Sequence, residues 1–235
     1  MLKDTLTIVV PTSCIPSHPA TDRIERAIAS IRAYPEAADC PLIITCDGLH
    51  PSHAARAEAY AEYKARLRKL YPDSDIVEFP EHTHQIGMMR ATMPRIKTPL
   101  LFYVEHDFYL RNEIPWAQIC AVMQKRADVK VVRLLHLPSI HEAWFHLMKD
   151  KMPQDVDGLF MVRTTMWSQN PHFATVESYR DILQSLYIEA YGFIEDRILG
   201  AVSDSPWERF GVWIYTGSIS RVGHTNGREG DPKIG

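Results

Sequence analysis

The stretch Pro99 to Val104, PLLFYV, constrains the fold of this chain more than any other, because it is apolar at every position. A strand with one wet face alternates apolar and polar residues. An unbroken apolar run of this length instead belongs to a strand buried on both faces, as in a parallel sheet covered by helices on either side. Pro41 to Cys46 (PLIITC) also reads as a buried strand, and Thr5 to Val10 (TLTIVV, rich in β-branched residues and closed by Pro11), Val129 to Leu135 (VKVVRLL) and Gly158 to Arg163 (GLFMVR) read as further strands. Asp75 to Phe79 and Trp213 to Tyr215 add two further strands.

Helical patterns fall between these runs. Asp22 to Tyr34 places Ile24, Ala27, Ile28 and Ile31 at helical spacing, behind Thr21 or Asp22 as a cap. His53 to Leu70 is an Ala-rich amphipathic helix stopped by Pro72, and Gln85 to Met93, Trp116 to Arg126 and Ser178 to Ala190 are also helical. Tyr191-Gly192 breaks the last, and Ile194 to Val202 forms one more short helix; His136 to Asp157 has no legible period. Strands alternating with helices predict an α/β domain, Rossmann-like, with a mostly parallel central sheet flanked by helices and right-handed crossovers. Ligands of such sheets collect beyond the carboxyl ends of the strands. No repeat, low-complexity segment or linker-like shift divides residues 1 to 235, so a single domain is expected, and with 46% hydrophobic residues it can bury its core without disulfides.

Several function classes are disfavoured. A net charge of -3 gives no strongly basic surface for nucleic acid. No apolar run approaches the roughly 20 residues needed to span a bilayer, and MLKDTLTIVV has no leader-peptide pattern, so the cytoplasm is the expected home. Cys14, Cys40, Cys46 and Cys120 lack C-x-x-C spacing and read as small buried hydrophobes. His141-Glu142 with His146 is no H-E-x-x-H zinc helix, because the histidines are five apart and do not share a face.

The chemistry concentrates in Glu105-His106-Asp107, which directly follows the most apolar strand. Charges there are costly without a partner. A divalent cation bound to substrate phosphates is one such partner, since Mg²⁺ or Mn²⁺ takes one or two protein carboxylates and leaves other positions to phosphate and water. A simply solvated strand end is the plain alternative.

Taken with its neighbours, this triplet resembles the D-x-D motif of a GT-A-fold glycosyltransferase of the family 2 kind. Thr7-Ile8-Val9-Val10-Pro11-Thr12 resembles the opening strand of that family, and Asp47 stands where it places an acid on the base or ribose. His84 to Ala91 resembles its N-x-G-x-x-x-A-R-N segment, with Gly87 in place and Arg90 one position early. The resemblance implies a donor site of Pro11, Thr12, Asp47, Gly87, Arg90, Glu105, His106 and Arg228, with Asp107 as direct metal ligand and Glu105 reaching a ribose hydroxyl or a metal-bound water. His224, in the loop Val222 to Arg228, matches a histidine that metal-dependent members place on the cation, and Arg221 and Arg228 are available for phosphate.

Glu195-Asp196 resembles the acidic pair whose carboxylate serves as general base in inverting members; Asp196 is preferred and Glu195 is second, while helix capping is the competing role for both. The implied activity is Mn²⁺- or Mg²⁺-dependent transfer of a hexosyl unit from a nucleotide sugar, UDP-linked by preference, to an acceptor hydroxyl. Residues 1 to 110 would hold the donor and 111 to 235 the acceptor, which is open among saccharide, small molecule, protein and modified nucleic acid. A nucleotidyltransferase is the nearest rival, but Thr12 to Ala20 lacks the Gly-rich basic loop it requires. A catalytically silent nucleotide- or sugar-binding module is the other. Trp144, Phe145, Trp167, Trp207 and Trp213 give the second half an aromatic bias that is mostly core, with one or two left to line an acceptor pocket.

Overall fold

A computed structural model describes residues 2–137, 139–185, 194–195, 198, 206–217 and 219–225. The described elements run β1 (Leu6–Thr12), α1 (Asp22–Arg32), β2 (Leu42–Cys46), α2 (Ala57–Leu70), β3 (Asp75–Glu78), α3 (His84–Thr92), β4 (Leu100–Tyr103), β5 (Phe108–Leu110), α4 (Trp116–Lys125), β6 (Val131–Leu134), β7 (Gln154–Val156), β8 (Leu159–Arg163), β9 (His172–Thr175), α5 (Val176–Ser185), α6 (Trp207–Phe210), β10 (Val212–Tyr215) and β11 (Val222–His224).

Nine strands form one sheet in the order β3-β2-β1-β4-β9-β6-β10-β8-β7. β9 and β8 run against the other seven, so the sheet is mostly parallel and mixed at two places. The two-sided burial expected of the apolar runs is present. In β4, Leu100 and Phe102 join the core that includes Ile24 and Ile28 of α1, Tyr60 of α2 and Trp116 of α4, whereas Leu101 and Tyr103 join the core that includes Ile86 of α3 and Tyr179 of α5. β1 alternates likewise, with Ile8 and Val10 on one face and Val9 on the other. Each such fully buried side chain contributes roughly 1.5–3 kcal/mol of transfer free energy, which is why these strands cannot sit at a wet face.

Four local features depart from the sequence reading. β1 runs through Pro11 to Thr12 instead of stopping before Pro11. Pro11 lies where β4 has already ended, so its missing N–H costs no ladder bond, and its carbonyl accepts from His106 N (3.3 Å). The second helix begins as a 3₁₀ turn, Pro51–Arg56, before α2. β9 is an added strand, inserted antiparallel between β4 and β6. β5 and β11 form a separate two-stranded ribbon, with Phe108 opposite His224. Of the short helix expected over Ile194 to Val202, Ile194, Glu195 and Ile198 are helical. The break at Tyr191-Gly192 and the end of the helix expected over Ser178 to Ala190 lie outside the described residues. All four cysteines are free and buried, as expected. Among the described residues no helix is long and apolar enough to cross a membrane.

Candidate functional site

From β1 the chain steps sideways to β2 and β3, then returns to place β4 on the other side of β1. This reversal makes a topological switch point at the carboxyl ends of β1 and β4, the position where sheets of this kind take ligands. Pro11 and Thr12 end one strand; Glu105, His106 and Asp107 follow the other, in a turn closed by Phe108 N donating to the Glu105 carbonyl (3.1 Å).

Asp107 meets His224 there, with Nε2 3.0 Å from Oδ2. The β5–β11 ribbon makes this contact. β5 lies on α1 through Leu110 N to Ser30 Oγ (2.9 Å) and the Arg26 guanidinium stacked 3.6 Å over the Tyr109 ring. Thr225 then anchors the end of β11, its N and Oγ1 both donating to the Asp107 carbonyl (2.8 and 2.9 Å). Burial pushes the Asp107 pKa up, but the His224 hydrogen bond and nearby imidazoles outweigh it and hold the carboxyl below its ordinary range. The same hydrogen bond raises His224. Asp107 Oδ1 is buried and has no hydrogen-bond partner. An ionised carboxylate with one unpartnered oxygen beside an imidazole is a donor set that fits Mn²⁺. Among the described residues no three His, Cys, Asp or Glu side chains converge as a complete cage, so the set fits a cation whose remaining positions are filled by phosphate and water.

Glu105 is treated differently by the fold. Its Oε1 accepts from Gln85 Nε2 and from Tyr103 OH (3.1 Å). Burial first, then the charge of Asp107, push its pKa to about 8. Gln85 also accepts from Ile194 N through Oε1 (3.3 Å), so this one side chain links the strand end to the segment bearing Glu195. Glu195 Oε2 accepts from Gln169 N (3.0 Å). Behind it lies Arg133 of β6, 0% exposed, whose Nη1 donates to the Met166 carbonyl (2.9 Å) while Nε and Nη2 find no partner. Burial lowers its pKa to about 10, against the opposing charge of Glu195. His172, opposite Arg133 on β9, packs near-parallel against both Tyr103 and Tyr179 (ring centroids 5.0 and 5.6 Å), whose own centroids lie 6.5 Å apart.

The remaining candidates divide by geometry. Asp47 is 1% exposed and its carboxylate is occupied: Oδ1 accepts from Gly48 N (2.9 Å), Thr83 N (2.8 Å) and Thr83 Oγ1 (3.1 Å), and Oδ2 from His84 N (3.1 Å), with His82 Nδ1 at 2.7 Å. These bonds clamp the loop that starts α3, where His84 sits at φ +60°. Gly48 permits the clamp, because any Cβ there would overlap the backbone of Glu81.

Thr12 turns its hydroxyl into the core, to Tyr63 OH (3.1 Å). His106 is buried with Nε2 unpartnered, and burial lowers its pKa. Gly87 lies half-buried on α3. Arg90 Nη2 donates to the Leu183 carbonyl in α5 (2.8 Å), which braces two helices. Arg221 Nη1 donates to the Glu113 carbonyl (2.6 Å). Asp196 and Arg228 lie outside the described residues. Sequence reasoning did not single out Gln85, Gln169, Arg133 or His172; only Arg133 carried a signal, as a charge in the middle of the strand-like run VVRLL.

No family model matches the chain, and no curated protein does. Solved structures do. S. aureus TarS superposes with a TM-score of 0.55 at 9% identity, over 96% of this chain and 37% of that one. A structure of GalNAc-T7 with UDP, GalNAc and Mn²⁺ gives 0.59 at 12% identity, over 97% and 45%. The mannosyltransferase PcManGT from Pyrobaculum calidifontis, in complex with GDP-Man and Mn²⁺, gives 0.52 at 11% identity, over 92% and 55%. The fold expected from the sequence is therefore the fold found, that of the GT-A glycosyltransferases. At such identities the likeness extends to the fold, and this chain spans roughly two fifths to three fifths of the length of these proteins.

Proposed function

We propose that this chain is a metal-dependent glycosyltransferase that moves a hexosyl unit from a nucleotide sugar, UDP-linked by preference, to an acceptor hydroxyl with inversion. The observation that carries the reading is Asp107: ionised, paired with His224, its Oδ1 unpartnered, at the reversal point of the sheet. The structures of similar fold with UDP or GDP-Man and Mn²⁺ support it by analogy.

Asp107 and His224 hold the cation, Mn²⁺ in preference to Mg²⁺ because one ligand is an imidazole. When bound, the cation supplies Lewis-acid neutralisation of the departing diphosphate. The nucleoside lies along Pro11–Thr12, Gly87 and His106, in the half of the chain up to about residue 110, on a loop that Asp47 holds in place. Arg90 acts through the α3–α5 brace. Glu105 presents a largely protonated carboxyl that can donate to a ribose or phosphate oxygen. The later half receives the acceptor. Glu195, with one oxygen fixed by Gln169 N, or the adjacent Asp196, takes the proton of the attacking hydroxyl, which reaches the anomeric carbon opposite the leaving group. Arg228 is assigned to phosphate from the sequence resemblance.

Calorimetric titration with UDP, GDP, CDP and dTDP, with and without Mn²⁺, tests this on wild type and Asp107→Ala. Mn²⁺-dependent binding of one nucleotide, lost in Asp107→Ala with the circular dichroism unchanged, is the expected result; equal binding by the variant removes the metal assignment. A silent binding module remains the second reading, favoured by the uncharged Glu105 where the resemblance expects an aspartate. Turnover of the bound donor excludes it.

A further inference from the structure

A concave site at the same edge of the sheet includes neither Asp107 nor His224 in its lining. It is a cavity of about 990 Å³, within the range of small-molecule sites. Its floor is laid by Leu135 after β6, Val162 of β8 and Thr216 after β10, and its wall by the 3₁₀ segment Glu142–Leu147. Phe145 and Phe160 stand at its mouth, 60% and 58% exposed. Leu137, Trp144 and Met152, near them in sequence, are exposed as well. Apolar side chains held in water on one face mark a binding surface. Thr216 and Gly217 border the cavity, Arg221 N donates to the carbonyl of Leu135 in its floor (3.3 Å), and His224 meets Asp107.

The lining also says what it would take. Saccharide hydroxyls are most often held by amides and carboxylates, but among the described residues the lining has no Asn, Gln or Glu, and its one Asp is occupied: Asp150 is held by Arg163 through Nη2 (2.6 Å) and Nε (3.0 Å). The charges that remain on the lining are Lys149 and Lys151, beside His146; among the described residues neither lysine is paired with a carboxylate. Apolar walls with a cationic rim complement an apolar chain or ring system carrying an acidic group.

We propose that this cavity binds such an amphiphilic anion, and that it is the acceptor, or the apolar portion of it. Its role as acceptor rests on the transferase reading above; the binding does not.

The test is calorimetric titration, below micelle-forming concentrations, with octanoate, octyl phosphate and octylammonium. Both anions should bind about tenfold or more tighter than the ammonium, and comparing them tells carboxylate from phosphate. Lys149→Glu with Lys151→Glu should abolish that preference, and Phe160→Ser should weaken all three. Equal binding of anion and cation, or binding indifferent to Phe160→Ser, overturns the proposal. So does sedimentation showing a dimer that Phe160→Ser dissociates, since a second copy would then fill the groove. The Mn²⁺-dependent nucleotide titration should be unchanged in these variants and octanoate binding unchanged in Asp107→Ala, so either reading can fail alone.

Discussion

His172→Phe should remove a defined part of the acid sensitivity of this fold. His172 is 0% exposed, its Nδ1 donates to the Asn170 carbonyl (2.8 Å), and its Nε2 is buried without a partner, so the native ring has nowhere to put a second proton. Burial drops its pKa to about 3, with Arg133 pushing the same way and the Asn170 carbonyl opposing. The unfolded chain takes that proton near pH 6.5. Below this point the unfolded state binds more protons than the native one, so stability falls with pH until about pH 3. Between about pH 7.5 and pH 5 the loss is about 1.5 units at 1.36 kcal/mol each, or about 2 kcal/mol. Urea unfolding of metal-free protein at both pH values measures it. The phenyl ring keeps the contacts with Tyr103 and Tyr179 and carries no proton, so the variant should lose about 2 kcal/mol less than wild type over this interval, whatever its absolute stability. Identical pH dependence in the two proteins would refute the account of His172 as a buried neutral imidazole.

Glu105→Gln should show the opposite sign. A carboxyl with native pKa about 8 penalises folding above its unfolded value, so the variant gains stability at neutral pH, by up to about 3 kcal/mol more than at pH 5, in the same urea experiment. Gly48→Ala places a Cβ in the backbone of Glu81, which should cost about 3 kcal/mol; thermal unfolding checks it, and a neutral result means the Asp47 loop is not packed as described. Gln85→Leu severs the link from Glu105 to Ile194 and should lower turnover about tenfold while leaving nucleotide affinity nearly intact. Donor kinetics beside calorimetry separates the two, and parallel losses would make Gln85 a binding residue instead.

The apolar runs made the central strands legible, because a residue such as Phe102 has only one kind of place to go. β9 was not legible. His172–Thr175 is four residues long, begins with a histidine and follows Pro171; its burial comes from the neighbours it slides between, β4 and β6, and no local pattern records them. β5 and β11 are three residues each and pair across more than a hundred positions of chain, so nothing in either announces the other. Asp47 was legible as a residue, but its hydrogen bonds to the loop that starts α3 were not. An acid after a buried strand looks the same in sequence whether it faces a ligand or receives the N–H groups of Thr83 and His84.

The triplet Glu105-His106-Asp107 poses the same difficulty in a sharper form, and the structure answers it. On paper it offers two equivalent carboxylates. In the fold, Tyr103 and Gln85 approach Glu105 as neutral donors in a buried setting, and Asp107 receives an imidazole that can carry charge. Two like acids this close do not both ionise readily, and the environment decides which does. It gives the anion to Asp107, the one whose second oxygen is unpartnered, and keeps the proton on Glu105. A cation arriving at this edge therefore meets one committed carboxylate. Register decides this: Phe108 opposite His224 sets the imidazole on Asp107. Shifting the ribbon by one residue would turn His224 to the other face and leave Asp107 to compete with Glu105 for a proton.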